Sequence, residues 1–319
     1  MTCDFHSFLG SYITSFINYR QSLGYKEITY IPTFKSIDTF LLKEYPNDTT
    51  FTEHMFNHWL LNNKDWSVNT LRTRIYQLSS LTIFILSLGY NCFFVSKEAT
   101  PKRQEFIPCI LTDEEMKVVF DAIDSYQSPS FAASLFEIVC PVLFRLIFTC
   151  GLRPNEPCSL KRSDVNLKTG KIKITNTKRH KSRQLYMSKD MLNLCQQYDS
   201  IISTLYPERE YFFLLKKGKK MAVYNIEYYL NTIKSKLEND AIQKMRVYDF
   251  RHNFATRSIL NYMENDLSIH TYIPILSSYM GHTTFDNTYY YISLLPDCLI
   301  KTKKLDWNIL NSAILEVVL

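Results

Sequence analysis

Four short stretches from residue 151 onward hold side chains suited to phosphate chemistry. They are Arg153 in GLRPNE, Lys178 in NTKRHKSR, Arg251 in YDFRHNFATR, and His282 followed by Tyr291 in MGHTTFDNTYYY. Arginine is always charged and presents a planar fork of donors that fits phosphate oxygens, which lysine copies poorly. Histidine can add a donor, lysine can carry a proton, and a phenol is an oxygen nucleophile once its own proton has left. Each residue alone is ordinary. An arginine at a helix end usually caps or faces water, and a lysine on a hairpin is a surface residue. The run Tyr289, Tyr290, Tyr291 reads equally as an aromatic face packed into a core or as a phenol held near His282.

The elements that must position these residues are mostly helical. In the first hundred residues Phe8, Tyr12, Phe16, Tyr19 and Leu23 form one stripe at steps of three to four, and IPTFKSIDTFLLKEY repeats the pattern after Pro32. TTFTEHMFNHWLLNN carries a Thr/Glu capping signature, and a long helix is expected over residues 67–88, closed by Gly89. Residues 91–108 lose periodicity and hold two prolines and three basic residues, so the linker is placed at residues 96–109. Thr112 then caps a new helix with acids in its first turn. FEIVCPVLFRLIFTCG reads as a buried helix ending at Gly151, and a short helix follows Pro154. GKIKITNTKRHKSRQLYMS alternates branched and polar residues about a polar turn, as a hairpin does, and helical periods return from Lys189 to the end. The expectation is a mainly α chain: a helical amino-terminal domain (residues 1–95), the linker, and a mostly helical domain with a small antiparallel β-sheet (residues 110–319).

Composition narrows the function classes. The 319 residues are 46% hydrophobic and 21% charged, ordinary for a folded soluble protein, and the net charge of +6 suits a polyanionic partner without requiring one. The eight cysteines are scattered with no C-x-x-C pair, which argues against a zinc ribbon or redox dithiol and suits a reducing cytosol. The start lacks a basic stretch followed by an apolar run, and the most apolar segment carries Pro141 and Arg145 and is too short to span a bilayer. There is no phosphate-binding G-x-x-x-x-G-K-[ST] motif and no carboxylate cluster for magnesium, so neither cofactor nor metal is expected.

Taken together and in this order, the four segments resemble the tyrosine recombinase (phage integrase) family. GLRPNE (151–156), TKRHKSR (177–183), YDFRHNFAT (248–256) and MGHTTFDNTYYY (280–291) stand where the family has G-L-R-x-x-E, T-K-x-x-K-x-R, H-x-x-R-H-x-F-A-T and L-G-H-x-x-x-x-T-x-x-Y. The resemblance covers residues 110–295; the amino-terminal part shares only the general helical character of the family's SAM-like core-binding domain. It implies strand cleavage by transesterification through a 3′-phosphotyrosine. The nucleophile follows the motif histidine by nine residues, which selects Tyr291 and leaves Tyr289 and Tyr290 as packing neighbours on other faces of the same helix. Thr288 fits the motif threonine. Arg153, Arg251 and His282 would bind the non-bridging oxygens, and Lys178, with Lys181 as runner-up, would protonate the leaving 5′-oxygen. A free phenol has a pKa of about 10, which nearby positive charge should lower. Glu156, three residues after Arg153, could orient that guanidinium. One position departs from the pattern: Tyr248 stands where the motif has histidine, and tyrosine cannot be a cation near neutral pH, which points to positioning rather than base work. His252 reads as structural and Asp249 as a helix cap.

The resemblance also implies double-stranded DNA as partner, a C-shaped clamp, and a cytoplasmic, nucleoid-associated enzyme working as a tetramer that exchanges its carboxy-terminal segments, with accessory DNA-bending or directionality proteins. Arg72 and Arg74 on a helix and Lys97, Lys102 and Arg103 in the linker are candidate backbone contacts; KKGKK (216–220) reads equally as a solvated loop. Integration, excision or transposition of a mobile element is the favoured role. A type IB topoisomerase and a DNA-binding regulator that has lost turnover are the alternatives. The terminal WNILNSAILEVVL is strongly apolar. Deleting the residues after Lys304 is expected to weaken synapsis and recombination more than single-site binding; unchanged synapsis in a gel assay would remove segment exchange from consideration.

Overall fold

Capped, amphipathic segments of nine to twenty residues set the architecture. A computed structural model of the chain describes residues 4–104, 106–127, 135–175, 182–265, 269–282, 284 and 286–294. The chain divides into two compact units, Met1–Phe106 and Ile107–Leu319.

In the first unit α1 (Gly10–Ser22), α2 (Ile31–Glu44), α3 (Glu53–Leu61) and α4 (Val68–Ser87) enclose a core that includes Ile13, Phe16, Phe34, Ile37, Leu41, Trp59, Leu78 and Leu81. The hydroxyls of Thr52 and Ser67 accept from the amides of Met55 and Thr70, satisfying donors that the first turns of α3 and α4 leave open. The buried stripe of α1 differs from the expected one. Ile13, Phe16 and Ile17 turn inward, whereas Tyr19 and Leu23 are exposed. Ile13 and Ile17 share the interior with Phe16, and Tyr19, half exposed, instead stacks on Phe84 at 5.5 Å.

The segment expected to be a linker is tied down at both ends. Asn69 of α4 donates to the carbonyl of Gln104 and accepts its amide, and Arg72 donates to the carbonyl of Pro101, so this stretch belongs to the first unit. In the second unit Asn253 does the corresponding job: its amide donates to the carbonyl of Cys109 at 2.9 Å and its oxygen accepts the amide of Leu111 at 2.9 Å.

The second unit begins with α5 (Asp113–Asp124), whose Thr112 and Glu115 form a reciprocal capping box, and α6 (Leu135–Cys150). Helix α6 is the buried centre, carrying Val139, Leu143, Phe144, Leu146 and Ile147, and its Arg145 reaches out to a forked pair with Asp124. After the short α7 (Asn155–Ser159) come β1 (Val165–Asn166), β2 (Lys171–Ile174) and β3 (Arg183–Tyr186), antiparallel in that order. The expected hairpin is thus β2–β3, widened by the two-residue β1. Pairing of Ile172 with Val165 and Leu185 puts the apolar side chains on one face, and Lys171 and Lys173 alternate to the other. Among the described residues six α-helices follow: α8 (Lys189–Leu205), α9 (Val223–Lys234), α10 (Asp240–Lys244), α11 (Val247–Glu264), α12 (Ile269–Met280) and α13 (Asp286–Ser293). The fold is mainly α with one small antiparallel sheet. Among the described residues no helix is long and apolar enough to cross a membrane.

Helix α6 ends against α11, and Gly151 makes the junction possible. Its φ is +58°, and a Cβ there would lie 2.4 Å from the ring of Phe254 on α11. Gly151→Ala is therefore expected to lower the stability of the second unit by about 1–3 kcal/mol, read as a lower urea midpoint at unchanged slope.

Candidate active site

Two glycine turns and one helix bring the motif residues together. Arg153 lies between the Gly151 turn and α7, Arg251 is on the second turn of α11, His282 follows the left-handed Gly281 (φ +66°) after α12, and Tyr291 is on α13. Arg251 is fully buried. Its guanidinium donates to the carbonyls of Gly151 and Met280, the latter at 2.8 Å, and lies 3.0 Å from Nε2 of His282. Guanidinium only donates, so Nε2 is the acceptor and the ring proton sits on Nδ1, which donates to the Thr288 hydroxyl at 2.7 Å. Thr288 itself is fully buried. The His282 ring is stacked on that of Tyr291, with centroids 6.0 Å apart.

Arg153 is held from two sides. Its Nη1 donates to Glu156 Oε1 at 3.0 Å, its backbone amide to Oε2 at 2.8 Å, and its Nη2 to the carbonyl of Gly281 at 2.6 Å. Arg183 of β3 makes a forked pair with the same carboxylate, 2.7 Å to each oxygen. Burial pushes the Glu156 carboxyl up, but the Arg183 hydrogen bonds and charge, with the Arg153 amide, hold it below its ordinary value.

The electrostatics depart from expectation at Tyr291. Burial raises the Tyr291 phenol to about 12, and the charge and hydrogen bond of Arg251 offset only part of that. The expected lowering is reversed because the side chain is 2% exposed and loses more by desolvation than one guanidinium returns. His282 is pushed down to about 3 by burial and by Arg251, Arg153 and Arg183, so the ring is neutral at pH 7. Its Nε2 accepts a hydrogen bond from Arg251.

Tyr289 and Tyr290, expected to pack, are both more than one-third exposed, and Tyr291 is the one that packs. It lies with Ile292 and Leu294 against Ala255, Ile259, Ile273, Leu276 and Met280, a cluster separate from the main core. Tyr248 is 37% exposed at the start of α11, its ring 4.9 Å from that of His252. His252, nine-tenths buried, also faces Tyr291 at 5.6 Å and Tyr290 at 6.5 Å, and its Nδ1 is buried without a hydrogen-bond partner. Asp249 caps α11 by accepting the Arg246 amide at 2.7 Å. Lys178 and Lys181 lie outside the described residues.

The candidate DNA contacts are spread over both units. Arg72 spends a terminal nitrogen on Pro101, and the guanidinium of Arg74 lies over the Trp66 ring, 3.6 Å from its centroid. Lys97, Lys102 and Arg103 are exposed. Two residues of the site carried no expected role. Arg183 is the final arginine of TKRHKSR, and strand alternation was the signal that could have singled it out. Gly281 was quoted within its motif, and its position just before His282 marks a turn.

Residues 110–296 match the phage integrase family. The chain belongs to that family. Among its relatives, the Sinorhizobium fredii protein y4rE is 24% identical over 300 residues, covering 92% of this chain and 94% of the relative. The tyrosine recombinase XerC of Leptospira interrogans is 24% identical over 227 residues, 70% of this chain and 68% of the relative. Among solved structures, XerH site-specific recombinase bound to palindromic difH substrate aligns with a TM-score of 0.64 at 18% identity, covering 88% of this chain and 80% of that one. Lambda integrase bound to DNA aligns at 0.63 and 16% identity, covering 87% and 93%. At such identities the likeness establishes the fold of this family member.

A histidine held near 3 in the folded state contributes stability that is complete above pH 6.5 and is lost as the pH falls toward 3. His252 faces Arg251, Arg246, Tyr248, Tyr290, Tyr291 and His282, and burial with the two arginines holds it at about 3. The urea midpoint of the second unit is therefore expected to fall between pH 7 and pH 4.5, and to fall less in His252→Phe.

Proposed function

We propose that this family member is a site-specific DNA recombinase that cleaves and rejoins strands through a 3′-phosphotyrosine at Tyr291, serving integration, excision or transposition of a mobile element. The observation that carries this reading is the convergence of Arg251, His282 and Tyr291, with Arg153 tied to the Gly281 turn beside them. Arg153 and Arg251 supply donors for the two non-bridging oxygens, where loss of one preorganised donor costs about two to three decades in rate.

Tyr291 attacks phosphorus, the bond to the 5′-oxygen breaks, and that oxygen leaves with a proton, assigned to Lys178 with Lys181 as the alternative. With its phenol near 12, Tyr291 enters protonated and must lose that proton during attack. A phosphate bound among the arginines opposes their charge at His282, raising the basicity of an imidazole they otherwise hold neutral. His282 can then share a proton with the phosphate oxygen or accept one. Rejoining is the reverse attack by a new 5′-hydroxyl on the phosphotyrosine, which conserves the bond energy. Tyr248 beside His252 is assigned to positioning, and its presence in place of the motif histidine supports the mobile-element role. The helical first unit is assigned to the DNA clamp, with Lys97, Lys102 and Arg103 on phosphates and Arg74 a further contact. Assembly is assigned to a tetramer through the carboxy-terminal segment, which lies outside the described residues.

The test is a nicked suicide duplex carrying a site selected by binding from a randomised pool. Wild type is expected to give a covalent adduct and Tyr291→Phe none, on denaturing gels. No adduct from wild type would favour a DNA-binding regulator, and an adduct surviving Tyr291→Phe would refute the nucleophile. Relaxation of plasmid lacking the site would favour a topoisomerase.

A further inference from the structure

Strand alternation puts Arg183 where a core residue belongs. On β3 Leu185 is fully buried opposite Ile172, while Gln184 and Tyr186 face outward. Arg183, two residues before Leu185 and opposite Ile174, therefore points to the inner face, and its side chain is 10% exposed. A charge is costly there unless it is paired. Its partner is Glu156, bound through both terminal nitrogens at 2.7 Å. The Arg183 stem also fills the space beside Gly281, where a Cβ would come within 3.1 Å of its Cδ and of a terminal nitrogen. Glu156 and Gly281 are the two groups that hold the Arg153 guanidinium.

The pairing has a consequence for Arg153. A carboxylate and an arginine three residues apart on one turn, left alone, would satisfy each other with a two-pronged bond, because that geometry is the strongest open to them. Such a pair would turn the Arg153 fork wholly toward Glu156 and away from the Gly281 turn beside His282. With Arg183 on the fork of Glu156, Arg153 gives that carboxylate one terminal nitrogen and its backbone amide, and its other terminal nitrogen goes to the Gly281 carbonyl beside His282.

We propose that Arg183 is a positioning residue that occupies the Glu156 fork and braces the Gly281 turn, so that Arg153 stays aimed at the scissile phosphate. Arg183 does not touch the phosphate itself. The inference rests on reading the chain as a phosphodiester-cleaving recombinase.

The experiment compares single-turnover cleavage of the selected nicked duplex with that of the same duplex carrying a neutral methylphosphonate at the scissile position. Enzymes are wild type, Arg183→Lys, Arg153→Ala and the double variant. Lysine keeps the buried charge but cannot fork. Arg183→Lys is expected to slow phosphodiester cleavage about ten- to hundredfold. The double variant should be within about twofold of Arg153→Ala alone, because the two act through one group. On the methylphosphonate one non-bridging oxygen and its charge are gone, so the Arg183→Lys deficit should shrink by at least about fivefold, as that of Arg153→Ala does. Equal losses on both substrates, or losses that multiply in the double variant, overturn the role and leave Arg183 as a structural brace. If Arg183→Lys does not fold, Arg183→Gln carries the same comparison with the same two outcomes. A wild type inert on both substrates overturns the recombinase reading itself, and this role with it.

Discussion

A guanidinium without exposed surface governs the second unit. Arg251 is buried, and among the described residues no carboxylate is hydrogen-bonded to it; carbonyl oxygens of two turns, one imidazole nitrogen and the Tyr291 phenol take its donors, and its Nε has no partner. Removing a cation from water costs several kcal/mol after relaxation, and neutral acceptors recover only part of it. The neighbourhood follows from that charge. Gly151 and Gly281 bend so that the carbonyls of Gly151 and Met280 can reach it, His282 stays neutral beside it, and the Tyr291 phenol is held below the value that burial alone would give. A site arranged in this way is complementary to an anion that brings its own negative charge.

Glu156 is the counterweight. It is the single carboxylate bonded to the arginines of the site, and it is shared between Arg153, on the α7 turn, and Arg183, on the sheet. That sharing joins elements that sequence order keeps apart. Through it β3 delivers an inward-pointing cation to the turn that carries Arg153.

Much of this was legible in the residues. Capping at Thr52 and Thr112, the apolar run of α6 and the β2–β3 alternation are local signals, and the elements formed where those signals stood. The spacing from His282 to Tyr291 picked out the tyrosine that the fold packs against the histidine. What failed was whatever depends on a partner surface. Three consecutive tyrosines on a helix differ by about 100° steps, and which one is buried is decided by where α13 lies against α11 and α12. The stripe of α1 shifted for the same reason. Arg183 was hidden among the basic residues of the hairpin, because periodicity marks an inward position and says nothing about a carboxylate waiting there. The sign of the Tyr291 shift needed the degree of burial, which no spacing contains.

Helix α13 has an energetic address of its own. Tyr291, Ile292 and Leu294 belong to the small cluster with α11 and α12, apart from the main core built around α6. Local opening is limited by the contacts a segment shares with its neighbours, so lifting α13 would cost that cluster and the Thr288–His282 bond while the main core stayed closed. The phenol proposed as nucleophile is thus mounted on an element whose local opening would leave the main core intact, at a fraction of the free energy that holds the domain together.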